Sequence, residues 1–279
     1  MTTSGVPTCL AIHDLSCVGR SSLTAIIPVL AVLGVQAIPL PTALYSNHLG
    51  FARYHVTALT DQYDIMDAWA ANGVEINAVY SGFLASPAQV ALVRAAISRY
   101  GKAARYVVVD PVMADHGRLY SAYRQDMVTA MRGLVEVADV VLPNWTEACL
   151  LADIPYCERP SSQLAEEVAH TLGGDRRLLL MTSVPVDEST HANVLYDAKT
   201  GDYRHVTYPY LPVRTSGTGD LLAAAVTGML LQGFAAERAL TVATEFVTAA
   251  VSALAAQGLD PRYGVPFEAE LAHLRKELL

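Results

Sequence analysis

No stretch of this 279-residue sequence gathers lysine and arginine into a run, and acids outnumber bases 27 to 19 for a net charge of -8. That balance argues against nucleic acid as a partner. Only four cysteines occur, Cys9, Cys17, Cys149 and Cys157. No two form a C-x-x-C pair and no histidine joins them at zinc spacing, so reduced thiols of a cytoplasmic protein are expected. The N-terminal MTTSGVPTCLAIHD lacks a basic stretch and a long apolar stretch, and does not read as a signal peptide. Charge is missing altogether between Arg20 and Arg53, but Pro28, Gly34, Gln36, Pro39 and Pro41 break this segment. It stops well short of the ~20 apolar residues of a membrane span and reads as a buried helix followed by a buried strand. Charged residues make up only 16% against 52% hydrophobic ones, the composition of a filled core, not of a disordered chain.

What is present is organised around Thr215-Ser216-Gly217-Thr218-Gly219-Asp220. Leu221, Leu222, Ala225, Val226, Met229 and Leu230 follow on one helical face, and Gly233 is a natural stop. Residues 217–220 are therefore expected to form the first turn of a buried helix. Its free amides and dipole suit an anion, and its glycines clear the approach of a phosphate. Asp220 would repel a phosphate unless it has a task there. One task is to take a proton from a hydroxyl that attacks the phosphate. The plainer reading is an acid that favours a helix start.

In chain order, the pattern predicts a strand at 8–12, a polar loop HDLSCVGRSS ending in a helix cap, a helix at 23–33 and a strand at 35–40. The polar-aromatic loop PTALYSNH comes next. This is a βαβ unit of a parallel sheet, in which ligands lie beyond the carboxyl ends of the strands. Further helices are expected at 61–72, 87–100, 123–137, 161–172, 236–257 and 267–278. Further strands are expected at 76–80, 105–109, 138–142 and 178–181, with a hairpin over 193–208. Strand ends carry Ser81-Gly82-Phe83, Asp110-Pro111-Val112-Met113-Ala114-Asp115 and Pro143-Asn144-Trp145-Thr146-Glu147. Asp110 with Asp115 suggests metal or substrate work, although an acid there can also cap a turn. Asn144 and Glu147 are oxygen donors of the kind Mg²⁺ accepts. No linker or repeat divides the chain, so one domain over 1–279 is expected, a mostly parallel sheet with helices on both faces.

GTGD at 217–220, DPVMAD at 110–115 and LPNWTEA at 142–148 occur in the order seen in ribokinase-like small-molecule kinases. HDLSCVGRSS, PTALYSNHLGF and YSGF make the chain resemble the pyridoxal/pyridoxamine kinases of vitamin B6 salvage. The resemblance covers nearly the whole chain. It implies a ribokinase-like α/β/α sandwich, commonly a homodimer, that phosphorylates the 5′-hydroxymethyl group of a B6 vitamer with ATP and Mg²⁺. By resemblance Asp220 is the catalytic base, and Gly217, Thr218 and Gly219 form the anion hole. Asp110, Asn144 and Glu147 organise phosphates and metal, with Asp110 and Glu147 on the metal side. Thr182 and Ser183 lie on the nucleotide path. Asp14, Ser46, Asn47, His48 and Phe83 line the vitamer pocket, and Asp115 and Tyr120 stand at its mouth.

Three positions depart from the family pattern. Leu142 replaces a hydroxyl residue, Ala114 replaces a glycine, and Asp14 stands where many relatives have serine. An acid there favours a cationic or hydrogen-donating ring. The resemblance leaves two rivals. A hydroxymethylpyrimidine kinase of thiamin synthesis shares DPVM and a GTGD-like motif, but usually opens with a Gly/Ser-rich loop. A vitamer- or nucleotide-binding protein without catalysis should show damage at Asp220 or its glycines, and neither is damaged.

Overall fold

The computed structural model describes residues 5–121, 123–175 and 177–279. Runs rich in valine, isoleucine and leucine become strands: β1 (Thr8–Ser16), β2 (Gln36–Tyr45), β3 (Val56–Ala58), β4 (Ala78–Ser81) and β5 (Tyr106–Val109). After a two-stranded ribbon of β6 (Ala114–Asp115) and β7 (Arg118–Leu119) come β8 (Val140–Val141), β9 (Leu178–Pro185), β10 (Thr190–Asp197) and β11 (Asp202–Pro209). Among the described residues the main sheet is nine-stranded, in the order β11-β10-β9-β8-β5-β4-β1-β2-β3. The pairs joining β2, β1, β4, β5, β8 and β9 are parallel, and both edges are antiparallel.

Burial on both faces explains why the parallel strands read as continuous apolar runs. On one face Leu10, Ile12, Val79 and Val109 pack with α3 (Pro87–Tyr100), α4 (Gln125–Val135), α5 (Trp145–Ala152) and α6 (Ser162–Gly173). On the other, Cys9, Ala11, Tyr80 and Val108 pack with α1 (Leu23–Val32), α7 (Thr218–Leu231) and α8 (Ala236–Gln257). The result is the three-layer α/β/α sandwich of the ribokinase-like fold. By length and apolar composition α8 could cross a membrane, yet Ala239, Leu240, Ala243, Phe246 and Leu254 are buried in this core.

Several boundaries differ from the sequence pattern. β1 and β2 extend to Ser16 and Tyr45, so the polar segments after residues 12 and 40 are themselves strand. β3 escapes the pattern because Val56, Thr57 and Ala58 are all exposed and carry no alternation. The ribbon of β6 and β7 turns through His116 and Gly117, both at positive φ (48° and 74°), the geometry of a tight two-residue hairpin. The last helix is only α9 (Leu271–Lys276), because a turn bond from Glu270 N–H to Phe267 O precedes it.

Candidate active site

β1 has β2 on one side and β4 on the other, so the strand order reverses beside β1. That is where a crevice opens at the carboxyl edge of a doubly wound sheet. Asp14 on β1, Gly82 and Phe83 after β4, Asp110 after β5, Asn144 after β8 and Thr182 and Ser183 on β9 all lie along this edge. The first turn of α7 joins them.

Gly217 is the N-cap residue of α7 with φ +90°. A Cβ there would run into the Arg20 carbonyl oxygen, so the position needs glycine for space as well as for conformation. A Cβ on Gly219 would lie 3.9 Å from Asp110 Oδ2, which brings the helix start and the β5 end together. Among the described residues no side chain caps α7. Its opening amides are left for a ligand. Asp220 accepts a 2.8 Å hydrogen bond on Oδ2 from the Ser22 amide. Burial pushes its carboxyl up to about 7, with Asp14 adding repulsion and the Ser22 amide opposing the shift.

Asp14 is buried beside this acid. Its Oδ1 accepts from Ser22 Oγ at 2.5 Å and its Oδ2 from Ser16 Oγ at 2.8 Å. Burial raises its pKa, and the two hydroxyls pull it back. The β1–β2 register slips between His13 and Leu15, and such an irregularity re-aims the side chain at residue 14. His48 turns to the backbone: Gly50 N–H donates to Nδ1 at 3.0 Å, which makes Nε2–H the donor to Arg262 O at 2.5 Å. This imidazole ties its loop to the 3₁₀ turn Pro261–Tyr263. Ser46 Oγ donates to Asn47 Oδ1, and Asn47 Nδ2 donates to the Arg53 and His48 carbonyls. These residues shape the loop. A cavity of about 260 Å³ lies between His48, Arg214, Thr215, Ser216 and Arg262. Phe83 stacks on Tyr123 with ring centroids 5.9 Å apart, and Tyr120 lies 6.2 Å from Tyr123. Asp115 is exposed on the β6–β7 ribbon. Tyr120 is 40% exposed, and partial desolvation with the nearby Glu147, Asp115, Asp110 and Asp220 carboxylates raises its phenol.

On the other side, no protein donor reaches the Asp110 carboxylate among the described residues. Burial, then repulsion from Glu147 and Asp220, holds its pKa well above the usual carboxylate range. Glu147 differs: Oε1 accepts from the Met113 and Ala114 amides at 2.8 and 3.3 Å, and Oε2 from the Asn144 amide at 2.9 Å. Burial still carries its carboxyl up to about 8. Asn144 accepts from Glu147 N–H and donates to Ala114 O at 2.7 Å, closing a capping box on α5. Asn144 and Glu147 thus fasten the Asp110–Asp115 segment to α5. Among the described residues no group of three or more His, Cys, Asp and Glu side chains converges as a metal cage. Thr182 is bridged to Asn144, and Ser183 is exposed at φ +56° where the β9–β10 register shifts.

Three contributors were not singled out in the sequence. Ser16 and Ser22 hold the two acids, and Asn193 pins the Ser183 amide through Oδ1 while donating to Thr244. The serine pair 21–22 signals a helix cap. Ser22 is the N-cap of α1 by position, yet its side chain makes no cap bond and goes to Asp14.

A ribokinase-like sheet with an acid at the uncapped start of α7 defines a phosphotransferase with an alcohol acceptor. The chain belongs to the phosphomethylpyrimidine kinase family, whose profile matches residues 12–264. It is 36% identical, with a TM-score of 0.90, to a Bacteroides thetaiotaomicron protein assigned as a phosphomethylpyrimidine kinase and crystallised with pyridoxal, over 96% of each chain. It is 30% identical, with a TM-score of 0.88, to pyridoxal kinase from Lactobacillus plantarum over 98% of each chain. It is 29% identical to a pyridoxal kinase of Rubrobacter xylanophilus over 89% of this chain and 88% of the relative.

Proposed function

We propose that this enzyme transfers the γ-phosphoryl group of ATP to the 5′-hydroxymethyl group of a B6 vitamer: pyridoxal, pyridoxine or pyridoxamine. The observation that carries the reading is Asp220, held through one oxygen by the Ser22 amide beside the uncapped start of α7. Among the described residues its other oxygen has no protein partner, and it accepts the proton of the vitamer hydroxyl. As that proton leaves, the hydroxyl oxygen bonds to the γ-phosphorus and the bond to the ADP oxygen breaks. A carboxyl brought to about 7 suits a proton acceptor near neutral pH. The amides of Gly217, Thr218 and Gly219 stabilise charge on the transferring group.

The unpartnered Asp110 carboxylate fits Mg²⁺, which keeps several waters and takes one or two carboxylates plus phosphate oxygens. Asp110 would hold it directly. Glu147, whose oxygens already accept three amides, would act on it through water and by fixing the loop. The ion supplies neutralisation of phosphate charge. Thr182 and Ser183 flank the nucleotide path. Asp14, with both oxygens oriented by serines, faces the ring, and Phe83 offers its flat surface. Ser46, Asn47 and His48 form the loop wall, and Asp115 and Tyr120 the mouth.

The pyridoxal-bound Bacteroides relative and the buried acid at position 14 support the vitamer over a pyrimidine. The family description keeps hydroxymethylpyrimidine as the second reading. Tyr54, Val56, Leu59, Tyr63 and Ile65 are exposed around the β3 edge, which supports a homodimer formed there, and the free thiols suit the cytoplasm. The deciding assay offers purified protein Mg-ATP with each vitamer and with hydroxymethylpyrimidine. The best vitamer should exceed the pyrimidine in kcat/KM by at least about tenfold. A pyrimidine preference overturns the vitamer assignment and leaves the phosphotransferase.

A further inference from the structure

We propose that Ser22 is a positioning residue that locks the acceptor pocket to the catalytic base. The proposal rests on the roles just given to Asp14 and Asp220. Ser22 is buried and touches both acids at once: its amide donates to Asp220 Oδ2 at 2.8 Å and its hydroxyl to Asp14 Oδ1 at 2.5 Å. The two acids lie 198 and 8 residues away in sequence. One residue therefore sets the reach from the ring-binding acid to the oxygen that takes the proton.

Its backbone conformation is the second observation. Ser22 sits at φ 50°, ψ -137°, a region that residues with a side chain rarely enter. An ordinary N-cap serine lies in the extended region and bonds an amide of its own helix. Ser22 does neither. The surroundings enforce this conformation. The Arg20 carbonyl abuts Gly217, and a Cβ on Gly217 would come within 3.2 Å of Ser21 Cα. The Arg20 amide donates to Tyr263 O and its guanidinium to Glu268. The turn into α1 is thus clamped between the start of α7 and the 263–268 segment. The clamp aims the amide at one acid and the hydroxyl at the other.

The two contacts can be separated by mutation. Ser22→Ala removes the hydroxyl and keeps the amide. Ser22→Gly also frees the backbone, because glycine has other conformations open to it. S22A should raise the acceptor KM about tenfold, with kcat and the ATP KM within about threefold of wild type. S22G should show the same KM change and a kcat about tenfold below that of S22A. In a double-mutant cycle with Asp14→Asn, S22A should add less than about twofold to the D14N change in acceptor KM, because both remove one interaction. Thermal melts confirm that each variant is folded. Acceptor KM in S22A within about twofold of wild type, or multiplying effects in the cycle, overturns the link to Asp14. Equal kcat in S22A and S22G overturns the link to Asp220. The cycle uses whichever of pyridoxal and hydroxymethylpyrimidine the wild-type enzyme phosphorylates. Failure of the vitamer assignment is thus seen in the wild type alone and leaves the Ser22 result readable.

Discussion

α5 and α7 both start at the carboxyl edge of the sheet, and both carry an acid at the third helical position, Glu147 in one and Asp220 in the other. α5 is closed by a full capping box, and both Glu147 oxygens are occupied by backbone amides. Among the described residues no side chain caps α7, which begins at a glycine, and Asp220 has one oxygen engaged. Both carboxyls are raised by burial, to about 8 and about 7. Burial alone therefore does not tell the two acids apart. The free oxygen of Asp220 and the open amides beside it do. A satisfied helix start builds a scaffold, whereas an unsatisfied one keeps its donors and its acid for a ligand.

The strongest way to break this comparison is Asp220→Asn, which keeps the acceptor for the Ser22 amide and removes the proton acceptor. Turnover should fall at least about 10²-fold with substrate binding largely kept. Stability should move the other way. The folded pKa of Asp220 lies above its unfolded value of 3.8. Its contribution is therefore full below that value and is lost as pH rises through about 7. D220N should match wild type in acid and melt higher at about pH 8. Single-turnover rates and melts across pH check both. A variant within a few-fold of wild-type turnover removes Asp220 from the base role.

Glu147→Gln tests the other helix start. It places an NH₂ donor among three amides that need an acceptor, so it should cost about 1–3 kcal/mol, read by denaturant unfolding. Glu147 also has a raised folded pKa, so its own contribution is full below about 4.5 and lost as pH rises through about 8. The gap between wild type and E147Q should therefore narrow as pH rises. Through the loosened Asp110–Asp115 segment, the Mg²⁺ needed for half-maximal rate should rise. An unchanged Mg²⁺ requirement confines Glu147 to capping.

These two regions differ in how openly the sequence declares them. GTGD, DPVMAD and PNWTE are short, so residue type and spacing already point to an anion site and its acids. The helix at Pro87–Tyr100 and the long one at Ala236–Gln257 follow their apolar periodicity to the residue. The division of labour between Glu147 and Asp220 is not local. It depends on amides from Met113 and Ala114 reaching one acid and the Ser22 amide reaching the other across 198 residues. Asn47 and His48 advertise polar groups that the fold spends on carbonyls and amides of neighbouring loops. β3 has no buried face to leave a pattern.

The smallest expected effect comes from the layer under α7. His13 and Tyr80 are fully buried on the α7 face of the sheet, with ring centroids 4.4 Å apart at a steep interplanar angle of 68°. Neither the His13 ring nitrogens nor the Tyr80 hydroxyl has a hydrogen-bond partner among the described residues. Burial lowers the His13 pKa to about 3, so the ring is neutral, and burial with the Asp110 and Asp220 charges keeps the Tyr80 phenol protonated. An unpaired buried hydroxyl costs its desolvation, and its removal without change of shape is neutral or stabilising. Tyr80→Phe keeps the ring against His13 and deletes only that oxygen. Its unfolding free energy should stay level or rise by up to about 1 kcal/mol. Unlike the scaffold at Glu147, this hydroxyl carries no helix start, and it has no part in the proton transfer proposed for Asp220, so kcat should stay within about twofold. A loss above about 1 kcal/mol would show instead that an internal water bonds the phenol, because such waters stabilise buried polar groups. The layer beneath α7 would then belong with the satisfied helix start of α5.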